Sequence, residues 1–239
     1  MVQLLVGCHE SLSPPTPFRD TPATIQDSPG ADAAAMLPVS GAAAQILANL
    51  RARHDGGSAD AAARSIALPT AGSLLFPAGE AKGFHRVKGG LTPRFATTDA
   101  RRAKVVLPDD ALASLHIEDV DTGLAVDVVL KDARKAAGLI TDGYVVYPQG
   151  HASGATLLYR AGATGIEDFL SFTTRPSAPS VAYQLHLGAG VGGLRLVANT
   201  LELLDGDGAP RLRVEPPYVV GADGTRADAT LAVDDCVVD

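Results

Sequence analysis

The chain has 239 residues, 46% hydrophobic and 20% charged, enough apolar matter for one large domain or two small ones and too much for a disordered chain. A formal charge of -7, a pI near 5.3 and scattered basic residues argue against nucleic acid as a partner, because phosphate binders need clustered Lys and Arg. No apolar stretch approaches the roughly 20 residues of a spanning helix, and the two cysteines are too few for a disulfide framework.

In chain order, the first signal is Leu5-Val6-Gly7-Cys8, which resembles a bacterial lipobox. In such a sequence the cysteine is lipidated and becomes the mature N-terminus, so Cys8 is the candidate lipidation site. Met1-Val2-Gln3-Leu4 lacks a basic n-region and a full apolar h-region. The alternative is a lone cysteine near a frayed terminus. Residues 9–38 carry Pro14, Pro15, Pro17, Pro22, Pro29 and Pro38. These remove donors and fix φ, so 1–38 reads as a lipobox followed by a disordered tether.

A helical linker is expected over 39–73. Ser40 can cap a helix of good formers, Ala42 to Leu50, with Ile46 and Leu50 on one face and Ala43 and Leu47 beside them. Arg51, Arg53 and His54 suit the negative end of its dipole, and Gly56-Gly57 stop it. Ser58 to Ser65 suggests a second short helix. An alanine-rich connector packed on the next domain is the expected role.

From about Leu74 the apolar period becomes two. Leu124, Val126, Val128 and Leu130 share one face and Asp127 takes the other. Leu139-Ile140 and Tyr144 to Tyr147 flank Asp142-Gly143, a strong hairpin signal. Val181, Tyr183, Leu185 and Leu187 alternate with polar or small residues. Thr200 to Leu204 and Arg211 to Val214 flank a turn at Asp205 to Gly208. Val219-Val220 and Ala229 to Val233 flank another at Ala222-Asp223-Gly224. The fold class expected for 74–239 is all-β, an antiparallel β-sandwich, without the helices of a βαβ crossover. The chain stops at Val233 to Asp239 without a closing turn, so it reads as a fragment clipped at both ends, with Cys236 pairing undetermined.

Candidate chemistry is sparse. Gly188 to Gly193 looks like a nucleotide loop, but Leu194-Arg195-Leu196-Val197 follows as a strand where a phosphate loop needs a helix, so a glycine-rich hairpin loop is expected. Asp205-Gly206-Asp207-Gly208 offers too few oxygens for calcium, as do Asp119 and Asp121, and an Asx turn is the better reading. His9, His54, His85, His116, His151 and His186 contain no helical zinc pair. His151 and Ser153 are close but not in a nucleophile elbow. Glu167-Asp168 could in principle serve glycoside hydrolysis, yet the chain has no Trp for sugar stacking. Tyr144, Tyr147, Tyr159 and Tyr183 fit core packing, with Tyr144 and Tyr147 the residues a glycan would need. No catalytic residue, metal or cofactor is expected.

Gly83 to Val87, Leu107-Pro108-Asp109, Asp121 to Leu124 and Asp142 to Tyr147 open a series of turn-and-strand stretches. Thr156 to Arg160, Thr164 to Leu170, Asp205 to Gly208, Pro216 to Tyr218 and Gly221 to Gly224 continue it. In this order they resemble the β-sandwich module of large secreted bacterial proteins of the Rhs/YD-repeat-associated type. The resemblance covers roughly the C-terminal two-thirds, with motifs of low individual specificity. The family's repeats are absent. It implies a non-enzymatic structural or display module, extracytoplasmic, and either outer membrane-anchored through Cys8 or secreted. Its partners would be the rest of a larger surface protein or other surface proteins. A glycan- or protein-binding sandwich is the alternative, and a hydrolase the third reading.

Overall fold

The computed structural model describes residues 3–8 (as backbone), 35–55, 76–96 and 103–234. Of these, 49% are strand and 8% helix, and most pairings are antiparallel, so the fold is all-β as the alternation indicated. The chain begins with β1 (Gln3–Cys8) and α1 (Gly41–Asp55). It continues through β2 (Gly83–Val87), β3 (Gly90–Arg94), β4 (Ala103–Val106), β5 (Leu115–Asp119), β6 (Ala125–Leu130), β7 (Leu139–Thr141) and β8 (Tyr144–Tyr147). Then come β9 (Thr156–Gly162), β10 (Gly165–Ser171), β11 (Ser180–Leu187), β12 (Gly193–Val197), β13 (Thr200–Leu204) and β14 (Pro210–Val214). β15 (Tyr218–Val220), β16 (Arg226–Asp228) and β17 (Thr230–Asp234) complete the described strands.

The largest sheet has six strands in the order β17-β1-β11-β6-β5-β4. Its inward rows follow the pleat, with Val126, Val128 and Leu130 on β6 and Val181, Tyr183 and Leu185 on β11. One half of that face packs on the four-stranded sheet β10-β9-β8-β7 through Leu130, Tyr183, Tyr147, Leu157 and Tyr159. The other half packs on the three-stranded sheet β12-β13-β14 through Leu124, Leu185, Leu201 and Leu203. Ile117 and Val128 touch both clusters and mark the seam between them.

The four-stranded sheet is covered on both sides, and all of β8 is buried. Val145 and Tyr147 face the six-stranded sheet, while Tyr144 and Val146 face α1. Ala43, Leu47 and Leu50, at i, i+4 and i+7, form the buried stripe of α1. The Ser40 hydroxyl accepts a hydrogen bond from the Ala43 amide at 3.3 Å, so Ser40 caps α1 as the sequence indicated. Arg51 departs from its expected role at the helix end. Its Nε donates to the Phe76 carbonyl (2.8 Å) and its Nη2 to Asp142 Oδ2 (2.6 Å), fastening α1 to the β7–β8 turn.

The Asp142-Gly143 hairpin forms as expected, both residues having positive φ (37° and 75°). Two local expectations need correction. Val219-Val220 does not pair with Ala229 to Val233; β15 pairs with Arg226–Asp228, and Thr230–Asp234 crosses to the six-stranded sheet. Ala229 is buried between these strands, so a continuous apolar run hides the junction of two elements. The Gly188 to Gly193 stretch is not a hairpin loop, because β11 and β12 belong to different sheets. Gly192 lies so close to the Asp205 carbonyl that a Cβ would sit 2.5 Å from it, which explains a glycine there without any phosphate.

Gln3–Cys8 forms a strand where the sequence suggested a lipobox. β1 runs parallel to β11 on one side and to β17 on the other, with Leu4 opposite Val181 and Leu231. β17 joins the sheet through β1. The expected tether up to residue 34, the second helix at Ser58 to Ser65, the Gly56-Gly57 stop, His9 and Cys236 lie outside the described residues.

Candidate functional site

The seam between the sheets opens into a cleft of about 520 Å³. Its floor is the inward face of the six-stranded sheet, with Ile117, Val126, Val128 and Leu185. One wall comes from β9 and β10, with Arg160 and Glu167, and the other from β14, with Arg211, Arg213 and Val214. The floor is apolar because these side chains alternate inward along their strands. The rim is charged because β10 and β14 are edge strands whose outer residues meet water.

The rim charges are largely spent on one another. Arg160 and Glu167 face each other across the β9–β10 hairpin, and both Nε and Nη2 of Arg160 donate to Glu167 Oε2. Tyr218 of β15 donates its hydroxyl to the other oxygen, Oε1, at 3.0 Å. Arg226 of β16 lies 3.9 Å from the centroid of the Tyr218 ring. Arg–Glu–Tyr–Arg thus forms one chain that straps the β15–β16 hairpin to the four-stranded sheet. Burial, reinforced by the Glu167 carboxylate, raises the Tyr218 hydroxyl to a pKa of about 12. Arg211 binds Asp205 Oδ2 at 2.6 Å, which holds the Asp205 carboxyl below its usual range. The side chains of Arg213 and Glu215 at the rim have no hydrogen-bond or ion-pair partner among the described residues.

Glu167 and Asp168, adjacent on β10, point to opposite faces and do not converge. Asp168 instead accepts a hydrogen bond from the Tyr183 hydroxyl. Burial of Tyr183, with that carboxylate beside it, lifts its pKa well above the ordinary phenol value. Two acids flanking a glycosidic bond would have to share a point, which these do not. His151 Nδ1 lies 2.7 Å from Ser153 Oγ and also accepts from the Ser153 amide (3.2 Å), an exposed turn motif. No carboxylate orients this histidine among the described residues, so the pair lacks the third member of a triad.

Asp205 Oδ1 accepts the amides of Asp207 and Ala209, and Asp119 Oδ2 those of the Thr122 amide and hydroxyl. Both are Asx-type turns, as expected. Among the described residues no group of three or more His, Cys, Asp or Glu could hold a metal ion. His116 bonds Asp127 on the next strand at 2.9 Å, and His186 is exposed on the same outer face. Tyr144 and Tyr147 are fully buried, so neither can stack on a sugar. Their hydroxyls donate to the Pro77 and Pro108 carbonyls. For Cys8, the backbone position is the last residue of β1. Cleavage before it would remove Gln3 to Gly7, leaving one residue of that strand, so a lipidated Cys8 and an intact β1 are alternatives.

Sequence reasoning did not find Arg160, Tyr218 or Arg226. Opposite charges at 160 and 167, placed symmetrically about Gly162 and Gly165, were a usable signal for the first pair. Nothing local announces Tyr218, which reaches Glu167 from a different sheet.

No family model matches the chain, and neither a curated protein nor a solved structure shows significant similarity to it.

Proposed function

We propose that the chain is a non-enzymatic structural or display module of a bacterial cell-surface or secreted protein of the Rhs/YD-repeat-associated type. The observation that supports it best is the closed pairing in the cleft. Both oxygens of Glu167 are taken, by Arg160 and by Tyr218, and Arg226 covers the Tyr218 ring. A reacting centre aims its polar groups at a common vacant point. Here they bond sheet to sheet, which is what stiffening a module requires. Its partners on this reading are the rest of a larger surface protein or other surface proteins.

Expression of the tagged full chain in a bacterial host, followed by fractionation and protease treatment of intact cells, tests the location. Recovery in the medium or loss of the tag from intact cells is expected. A tag that is protected until the cells are lysed overturns it. Labelling of Ser153 by a fluorophosphonate would overturn the non-enzymatic part.

A binding module is the second reading, favoured by the unpaired Arg213 and Glu215 at the rim of an apolar floor. Saturable binding on a glycan array that Arg213→Ala abolishes would promote it over the first.

A further inference from the structure

The three-stranded sheet ends in β12, which among the described residues pairs with β13 alone. The other edges of the three larger sheets are closed to a further strand. β4 runs on into Leu107, which exchanges both backbone bonds with Leu91 at 2.8 Å. On β17 the Asn199 side chain donates to the Ala229 carbonyl (2.8 Å) and accepts from the Leu231 amide (2.6 Å), taking the place of a neighbour. β7 is short, and its Ile140 carbonyl accepts the Ser40 amide ahead of α1 at 2.8 Å. β10 carries an acid on each face, Glu167 and Asp168, and β14 opens on Pro210 and carries Arg211 and Arg213. Charge, proline and side-chain cover are what keep exposed edges unpaired. β12 lacks them. Its sequence is Gly-Leu-Arg-Leu-Val, with Leu196 45% and Val197 51% exposed. Its one charge, Arg195, is taken up inside the sheet, where Nε and Nη2 donate to Glu202 Oε2 at 2.8 and 2.6 Å.

Ala198 and Asn199 have positive φ (48° and 68°) and make the two-residue turn of a hairpin, in which the flanking pair, Val197 and Thr200, exchanges both bonds. By alternation Arg195 also bonds towards β13, and the amides and carbonyls of Leu194 and Leu196 point away from it. We propose that β12 is a docking edge for an extended strand of a partner protein, added antiparallel, with an apolar–acidic–apolar triplet opposite Leu196, Arg195 and Leu194. β13 already presents such a triplet on the closed side, Leu201, Glu202 and Leu203. The apolar residues of the incoming strand cover Leu196 and extend the layer in which Leu194 packs. The acid lies beside Arg195, whose Nη1 has no hydrogen-bond partner among the described residues. A second copy fits worse, because antiparallel self-pairing over the whole of β12 sets Arg195 against Arg195, and like charges directly opposite destabilise a ladder. Backbone bonds supply the affinity and the triplet the selection. The inference rests on the structural-module reading only in giving that module's partner a chemistry, and it does not depend on the location.

The probe is a fluorescein-labelled synthetic peptide containing Thr-Leu-Glu-Leu-Leu, the β13 sequence, titrated into the purified full chain and read by anisotropy. Saturable binding is expected, weakened about tenfold or more when the peptide backbone is N-methylated or its glutamate is exchanged for lysine. Leu196→Pro removes an N–H that β13 does not use, so it should abolish binding and leave the circular dichroism unchanged. Leu196→Lys puts a charge on the edge and should act alike if the proline variant fails to fold. Hydrogen exchange followed by NMR should show the Leu194 and Leu196 amides exchanging freely in the chain alone and slowly with peptide bound. Absence of saturable binding overturns the proposal, as does equal affinity for the N-methylated peptide. Leu194 and Leu196 amides already protected in a monomer overturn it too, because the edge is then covered from within. So does a dimer in light scattering that Leu196→Lys dissociates, which gives the edge to a second copy. Peptide binding by a chain that stays in the cytoplasm keeps the edge and removes the location. A surface-exposed chain that binds no peptide does the reverse.

Discussion

At the residue scale, buried tyrosine hydroxyls hold the layers in register. Tyr147 is fully buried, packs edge-on against Tyr159 at 5.7 Å and donates to the Pro108 carbonyl at 2.6 Å. Tyr147→Phe keeps the ring and leaves that carbonyl without its donor, so a loss of about 1–2 kcal/mol is expected in urea denaturation. Ionisation gives a second test. Burial raises Tyr144 from 10.0 to about 12, only partly opposed by Arg160 and Arg51, and burial raises Tyr218 to about 12 as well. Both groups favour the neutral phenol in the folded state. Their contribution is fully present below pH 10.0 and is lost as pH climbs from 10.0 through about 12. Phenolate absorbance followed against pH should therefore rise late and together with loss of tertiary signal. A smooth titration near pH 10 with the fold intact would contradict this environment.

At the element scale, the Asp142-Gly143 turn is more than a chain reversal. The Asp142 side chain holds Arg51 of α1 and its carbonyl accepts the Gly79 amide at 3.1 Å. Gly143 has φ of 75°, and a Cβ on it would come within 2.5 Å of the Gly79 Cα. Gly143→Ala should cost upwards of about 1 kcal/mol, from the left-handed backbone and the backbone overlap together. Gly206→Ala, with open space around its Cβ, should change the melting temperature little. Equal shifts in the two variants would refute the packing of the turn against Gly79. This turn was legible because its chemistry is local: Asp-Gly between two β-branched runs admits few alternatives. The Ser40 cap and the alternation along β6 were legible for the same reason. β16 was not, because Arg226-Ala227-Asp228 is polar and short and carries no period. β1 was not, because six residues beside a cysteine fit a processing signal as well as a strand. Its partners, Ser180 to Leu185 and Thr230 to Asp234, are remote in sequence. The cleft was illegible altogether, since its floor and walls come from three sheets that no local pattern joins.

At the scale of the whole molecule, the six-stranded sheet depends on β1. Parallel pairing on both sides makes it an interior strand, and Leu231, buried on β17, faces the same core as Leu185 on β11. A chain lacking residues 1–8 should keep the α1-covered four-stranded sheet but lose protection at the β11 and β17 amides. Hydrogen exchange read by mass spectrometry can check this: unchanged protection in Thr230 to Asp234 would mean that β17 holds without β1. The insertion of β1 also governs the order of events during synthesis. A ribosome makes Gln3–Cys8 well before its neighbours Ser180–Leu187 and Thr230–Asp234, the nearer of which follows roughly 170 residues later. At about 5–20 residues per second, the segment waits roughly 10 seconds or more for a partner. Until then Leu4-Leu5-Val6 is a greasy, unsatisfied stretch on the nascent polypeptide, a natural handle for a holding chaperone, and closure of the sheet waits for the synthesis of β17.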